Sequence, residues 1–158
     1  LWDKQTVFLS HSHKDQDLVE QIVGFFFFTG TRVYVDWLDP QMPHTTCGET
    51  AKILKSRIVK CDKFVVLFTE NSIDSKWIPW ELGYADATKP NENIAIFPLK
   101  RHSNTADSYF SGLEYMELYP IIKEGVLNQT TVFSIFANNV SKSGKTINNW
   151  LDSSKVTF

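Results

Sequence analysis

Residues 63–86 read "KFVVLFTENSIDSKWIPWELGYAD", and their two halves obey different periods. "KFVVLFT" (63–69) is apolar almost throughout with no two-residue alternation, as a strand must be when both of its faces are covered. A strand of that kind belongs to a parallel sheet flanked by helices. "SIDSKWIPWELGYAD" (72–86) has helical spacing. At about 100° per residue, Trp80, Tyr84, Trp77, Thr88, Glu81, Ala85, Ile78 and Leu82 fall in that order around one arc, with Pro79, Asp86 and Gly83 opposite. Pro79 fits the first turn, which puts Trp77 at the helix mouth with Asp74 or Ser75 as the cap. Glu81 therefore lies on the apolar side. A carboxylate there costs several kcal/mol unless it is paired or protonated. Either Arg32, Arg57 or a lysine pairs with it inside the fold, or it serves a site.

The neighbouring segments extend the same pattern. "TVFLS" (6–10) reads as a buried strand bounded by the polar "HSHKDQD". Leu18, Val19, Ile22, Phe25 and Phe26 recur at helical spacing up to a stop at Gly30. "TRVYVDW" (31–37) is a second strand, and "LDPQMPHTTCG" after it is a long irregular loop of the kind that carries function. Thr46 and Glu49 have capping-box spacing ahead of a second helix containing Ile53, Leu54 and Ile58. "NIAIFPL" (93–99) is a fourth strand, the polar "KRHSNTADSYFSG" a connection, and "LEYMEL" a weaker fifth strand. The tail offers another strand, "TTVFSIF" (130–136), and a terminal helix, "TINNWLDSS". Alternating strands and helices predict one α/β domain over residues 1–158, with a core of about 6–120 and an extension of about 121–158. Its parallel sheet places a ligand site at the carboxyl ends of the strands.

Composition narrows the function. A net charge of −2 and a pI near 6.1 lack the basic surplus that phosphate-backbone binding uses, so nucleic acid is not an expected partner. No apolar run approaches the roughly 20 residues that span a bilayer, and the sequence shows no leader pattern. Two cysteines, Cys47 and Cys61, are too few for a disulfide framework. A soluble, cytoplasmic protein is expected. "FFFF" (25–28) cannot place four rings on one helix face, so one or two must be exposed or meet a neighbour. His11, His13 and His44 hint at a metal, but no carboxylate or cysteine completes a recognisable spacing, and no metal is expected. Cys47 beside His44 reads as a small residue at a helix start rather than a nucleophile.

"TVFLSHSHKD", "RVYVDW" with its long loop, and "CDKFVVLFTENSIDSKWIPWELGYAD" together resemble a Toll/interleukin-1 receptor (TIR) domain over residues 6–100. The most specific element is Ser-x-Trp-x-x-x-Glu, filled by Ser75, Trp77 and Glu81. The loop after strand two and the tail after Leu118 are closer to bacterial antiviral TIR proteins of the Thoeris type. The resemblance implies a flavodoxin-like sheet of about five strands in the order 2-1-3-4-5. It also implies cleavage of NAD+, as substrate and not cofactor, at the nicotinamide–ribose bond, with Glu81 catalytic. Ser10, His11 and Ser12 after strand one, Asp36 after strand two, and Ser75, Trp77 and Tyr84 are the expected nucleotide-binding residues. Ser12 and His13 stand where animal members often carry arginines. Self-association and a separate effector that reads the product are the partners implied. A non-catalytic TIR scaffold and a nucleoside deoxyribosyltransferase-like enzyme remain the alternatives.

Overall fold

In the computed structural model, which describes residues 5–102, 104, 113–138 and 141–152, the apolar runs form one mixed sheet. Its strands are β1 (Thr6–Ser10), β2 (Arg32–Tyr34), β3 (Lys63–Phe68), β4 (Ile94–Pro98), β5 (Ile121–Leu127), β6 (Thr130–Phe136) and β7 (Gly144–Thr146), in the spatial order β2-β1-β3-β4-β5-β6-β7. The first five are mutually parallel, and β6 and β7 continue antiparallel. All six residues of β3 are buried, as its unbroken hydrophobicity requires.

Alternate residues of the parallel strands feed two cores. Val7, Leu9, Val65, Leu67, Ala95 and Phe97 pack with Val19, Ile22 and Phe26 of α1 (Gln16–Phe28) and with Ile147, Trp150 and Leu151 of α4 (Ile147–Asp152). Phe8, Phe64, Val66, Phe68, Ile94 and Ile96 meet Leu54 and Ile58 of α2 (Gly48–Lys60) and Ile78, Leu82 and Ala85 of α3 (Trp77–Thr88). The two-residue period of the strands thus sorts side chains onto opposite helical layers.

Four expectations change. The second strand stops at Tyr34, and Asp36–Leu38, its expected end and the residue beyond, is a 3-10 helix. "LEYMEL" is not a strand: Glu114–Leu118 is a 3-10 helix. Leu113, Met116 and Tyr119 recur every third residue and all turn to the α2–α3 core, the period that a 3-10 turn presents on one side. The fifth strand is "IIKEGVL", paired with β6 from Ile121↔Phe136 to Leu127↔Thr130. Asn128 and Gln129, with φ of 50° and 64°, form the two-residue turn between them, where two positive φ values suit the twist of a hairpin. The cap of α2 sits one residue later than Thr46–Glu49: Cys47 is the N-cap, its N–H donating to Thr50 Oγ1 at 3.1 Å. Most of the polar connection over residues 100–112, part of the loop at 137–145 and the last two residues of the expected terminal helix lie outside the described residues. In the "FFFF" run Phe26 is buried, Phe25 packs on Phe133, and Phe27 and Phe28 are 66% and 89% exposed. No described helix is long and apolar enough to cross a membrane.

The carboxyl ends of β1, β3 and β4 are tied by one buried acid, Asp15, which has no solvent exposure. Its carboxylate accepts from Thr69 Oγ1 at 2.5 Å, Asn71 Nδ2 at 2.6 Å and Arg101 Nη1 at 3.0 Å. Replacing it would take an acceptor from the buried Thr69 hydroxyl and the half-buried Asn71 amide and deprive Arg101 of its inner partner. Asp15→Ala is expected to cost about 3–5 kcal/mol and to lower Tm by on the order of 10 °C. A melting curve within about 2 °C of the parent protein would show that the tie carries no such weight.

Candidate active site

At the carboxyl end of the sheet a cleft of about 220 Å³ opens between β1, the loop after β2, and the mouth of α3. Leu9 and His11, Asp36 and Trp37, Met42 to His44, and Ser75, Trp77 and Glu81 line it, with Thr50 and Leu54 of α2 beneath. The loop after β2 forms one wall and is braced from α2. Arg57 Nε donates to Asp39 Oδ2 at 2.8 Å and its Nη2 to Gln41 Oε1 at 2.8 Å, while Tyr34 Oη donates to Asp39 Oδ2 at 2.9 Å. This guanidinium holds the Asp39 carboxyl below its ordinary range.

Glu81 is only 6% exposed. Its Oε2 accepts from Ser10 Oγ at 2.5 Å, a contact across 71 residues of sequence made where β1 ends beside α3. No ion pair among the described residues reaches it, and Arg57, one of the cations that could have neutralised it, is committed to Asp39. Burial raises its pKa to about 8; the Ser10 hydroxyl opposes that rise and the Asp36 carboxylate adds to it. An unpaired acid at the floor of a cleft, with its proton held near neutrality, is the arrangement general acid–base and cation-stabilising chemistry uses.

The α3 arc follows the spacing except at Thr88, which is exposed in the last turn of the helix. Ile78, Glu81, Leu82 and Ala85 are buried, Trp77, Trp80 and Tyr84 half-buried, and Pro79, Gly83 and Asp86 exposed. Ser75 acts as a helix-end acceptor, taking the Ile78 N–H at 3.2 Å, although Lys76 is the residue that precedes the helix. Trp77 stands edge-on to Trp80 at 5.4 Å and lines the cleft.

Six of the eight residues expected at the site converge there: Glu81, Ser10 through its bond to Glu81, His11, Asp36, Ser75 and Trp77. Two do not. Ser12 is buried and its Oγ accepts the Lys14 N–H at 3.3 Å, closing a turn. Tyr84 stacks on Trp80 at 6.2 Å with Lys55 Nζ 5.1 Å above its ring, on the side facing α2.

Sequence reasoning passed over Trp37, whose ring meets His11 edge-on at 4.7 Å, and Met42; only their position in and beside the long loop could have pointed to them. It also found no carboxylate for the histidines. The fold supplies Asp36: its Oδ1 is 3.4 Å from His11 Nε2 and its Oδ2 3.7 Å from His13 Nε2. Burial pushes the His11 imidazole below its ordinary pKa. Cys47 and Cys61 are both free thiols.

The chain is 35% identical over 147 residues to a protein of Bacillus cereus (strain MSX-D12) named as a probable 3' cyclic ADP-D-ribose synthase, ThsB', covering 92% of this chain and 74% of that one. It is 33% identical over 82 residues to a Cytobacillus dafuensis protein provisionally named as the cyclic ADP-D-ribose synthase TIR2, covering 50% of this chain and 22% of that one. The solved structure of Clostridium botulinum CMP N-glycosidase, BcmB, superposes with a TM-score of 0.46 at 19% identity, over 80% of this chain and 91% of that one. Residues 7–150 match the family model for the TIR domain, and the chain belongs to the TIR domain family.

Proposed function

We propose that this chain cleaves NAD+ at the bond between nicotinamide and ribose and passes the ADP-ribosyl group to a hydroxyl acceptor, making a nucleotide signal in bacterial antiphage defence. The observation that carries the reading is Glu81, a buried carboxyl with no cationic partner among the described residues, on the floor of a cleft walled by Trp77. The names of its relatives support the same chemistry.

The geometry supports the following course. At about 220 Å³ the cleft is smaller than the roughly 300–1,000 Å³ of pockets that enclose a whole drug-sized ligand, so it admits one end of the dinucleotide. The nicotinamide ring stacks on Trp77, which brings its ribose over Glu81. The pyridinium is cationic and leaves as a neutral base, so no acid is needed to expel it. Positive charge shifts to the ribose as the bond breaks, as in glycoside hydrolysis. The Glu81 carboxylate faces that charge in a dry site, where electrostatic stabilisation is strongest. Ser10 donates to the carboxylate and keeps it oriented. When the acceptor hydroxyl attacks the anomeric carbon, its proton passes to Glu81, whose pKa near 8 suits the role of base.

The proposal includes a cytoplasmic setting, a separate effector that reads the product, and assembly through TIR–TIR contacts. The exposed Phe27 and Phe28 at the end of α1 are one surface for such contacts. Asp36, which lines the same cleft, is the proposed partner of a ribose hydroxyl.

Glu81→Gln keeps the shape and the capacity to accept from Ser10 but removes the charge. NAD+ turnover is expected to fall by at least ~100-fold, about 2.7 kcal/mol. Stability moves the other way. The folded state holds Glu81 at about 8 against 4.5 for the ordinary group, so it keeps a proton that the unfolded chain releases. The stability this group contributes is full below pH 4.5 and is lost as pH rises through about 8. Glu81→Gln should therefore melt like the parent protein near about pH 5 and be more stable by about 2–4 kcal/mol at about pH 8. A variant destabilised at both pH values and still active would overturn the assignment.

In the parent enzyme kcat/KM should rise with pH through an apparent pKa of about 8, because only the ionised carboxylate stabilises the ribosyl cation. In Glu81→Gln that rise should vanish from whatever activity remains. Trp77→Ala removes the stacking wall and leaves the acid in place. Its KM for NAD+ should increase by about tenfold; an unchanged KM and product pattern would make the ring a packing element only.

A further inference from the structure

We propose that His11, His13 and Asp36 form a site for one divalent transition-metal ion of the zinc class at the mouth of the cleft, with open coordination positions that take oxygens of a diphosphate.

The first observation is an orphaned lone pair. His11 Nδ1 lies 2.8 Å from the Leu9 carbonyl oxygen. A carbonyl can only accept, so Nδ1 carries a proton, and in the neutral imidazole Nε2 is bare. That Nε2 is buried and has no hydrogen-bond partner among the described residues, on a side chain only 3% exposed. It looks across 3.4 Å at Asp36 Oδ1, so two acceptors face each other. One divalent metal ion placed between them meets both lone pairs at once.

The second observation is how these groups are held. The bond from Nδ1 to a strand carbonyl is the outer contact that fixes the tautomer of metal-binding histidines. The Trp37 ring packs edge-on against His11, and the Trp37 N–H donates to Asp36 Oδ1 at 2.9 Å, so the carboxylate is oriented as well. One ligand atom from each of His11, His13 and Asp36 lies within 4.8 Å of the other two. Ligands bound at about 2.0–2.1 Å around a tetrahedral ion are about 3.4 Å apart, so the set must close by about an ångström. His13 can supply that movement, because its side chain is 72% exposed. Two imidazoles and one carboxylate suit zinc, cobalt, nickel or ferrous iron, whereas magnesium and calcium favour oxygen ligands throughout.

The diphosphate half of the proposal rests on the nucleotide reading given above. Among the described residues the cleft lining contains two carboxylates, Asp36 and Glu81, and no lysine or arginine. An anionic diphosphate would enter a cleft whose described wall offers it neither. A divalent ion on two neutral imidazoles and one carboxylate carries a net charge of about +1 and leaves positions free for phosphate oxygen.

Cobalt(II) tests the site by colour. Full-length protein, freed of metal with a chelator, is titrated with CoCl2 without nucleotide while its visible ligand-field bands are recorded. Saturation at one Co2+ per chain is expected. His13→Ala, at an exposed position that leaves the core intact, should weaken binding by about tenfold or more, and Asp36→Asn likewise. His44→Ala, which changes a histidine of the same cleft outside the triad, should bind as the parent does. Absence of saturable binding, or His13→Ala binding like the parent, overturns the metal site. ADP-ribose added to the cobalt protein should then shift the bands; unchanged bands overturn the diphosphate assignment. If NAD+ cleavage is absent while one-to-one Co2+ binding persists, the glycohydrolase reading fails and the metal site stands.

Discussion

The loops that build this cleft leave the sheet at different strands, and one buried anion keeps them in register. Parallel strands end side by side, so the segments after β1, β3 and β4 emerge as neighbours that have no backbone ladder between them. Asp15 takes the place of that ladder. Its two oxygens accept from Thr69 and Asn71 after β3 and from Arg101 after β4. Arg101 in turn grips Asp17 on α1 through two nitrogens, and its backbone N–H donates to Glu70. The distance from Ser10, at the end of β1, to Glu81, on the helix after β3, is fixed to a hydrogen bond by this frame.

Within the frame, two acids meet opposite fates. Asp15 is fully buried and saturated with donors, so its burial is compensated. Glu81 is almost as deeply buried but among the described residues has one hydroxyl to meet it, and its proton is correspondingly hard to remove. The difference lies in the neighbours rather than in depth. A fold that can satisfy one carboxylate with an arginine, an amide and a hydroxyl leaves the other nearly bare, and that contrast separates a scaffold acid from a reactive one.

Sequence periodicity carried the parallel half of the fold and the position of Glu81. Continuous hydrophobicity in "KFVVLF" and the 100° arc of α3 are local properties, and both survive in three dimensions because burial enforces them. The antiparallel half was harder to read. Asn128-Gln129 lacks the glycine that usually marks a two-residue hairpin, and "LEYMEL" mimics a strand because three-residue spacing over so short a run resembles alternation. Nor could the sequence show that Asp36 comes to His11 and His13: they belong to different strand ends, and only the adjacency of β1 and β2 joins them. Ser12 and Tyr84 were placed by proximity along the chain, yet one closes a turn and the other packs toward α2.

The α4 helix has a consequence for how the protein is made. Ile147, Trp150 and Leu151 seal the same core face that begins with Val7 and Leu9 of β1, and the Trp150 indole N–H reaches back to the Glu92 carbonyl at 2.7 Å. Residues near opposite ends of the described chain thus complete one layer. During synthesis that face of β1, β3 and β4 stays partly uncovered until α4 leaves the ribosome. Parallel pairing of distant segments is slow, and apolar strands waiting for their cover are prone to pair with other chains. The nascent polypeptide is therefore an expected client of chaperones until α4 docks, and the layer over that face of the sheet is complete only then.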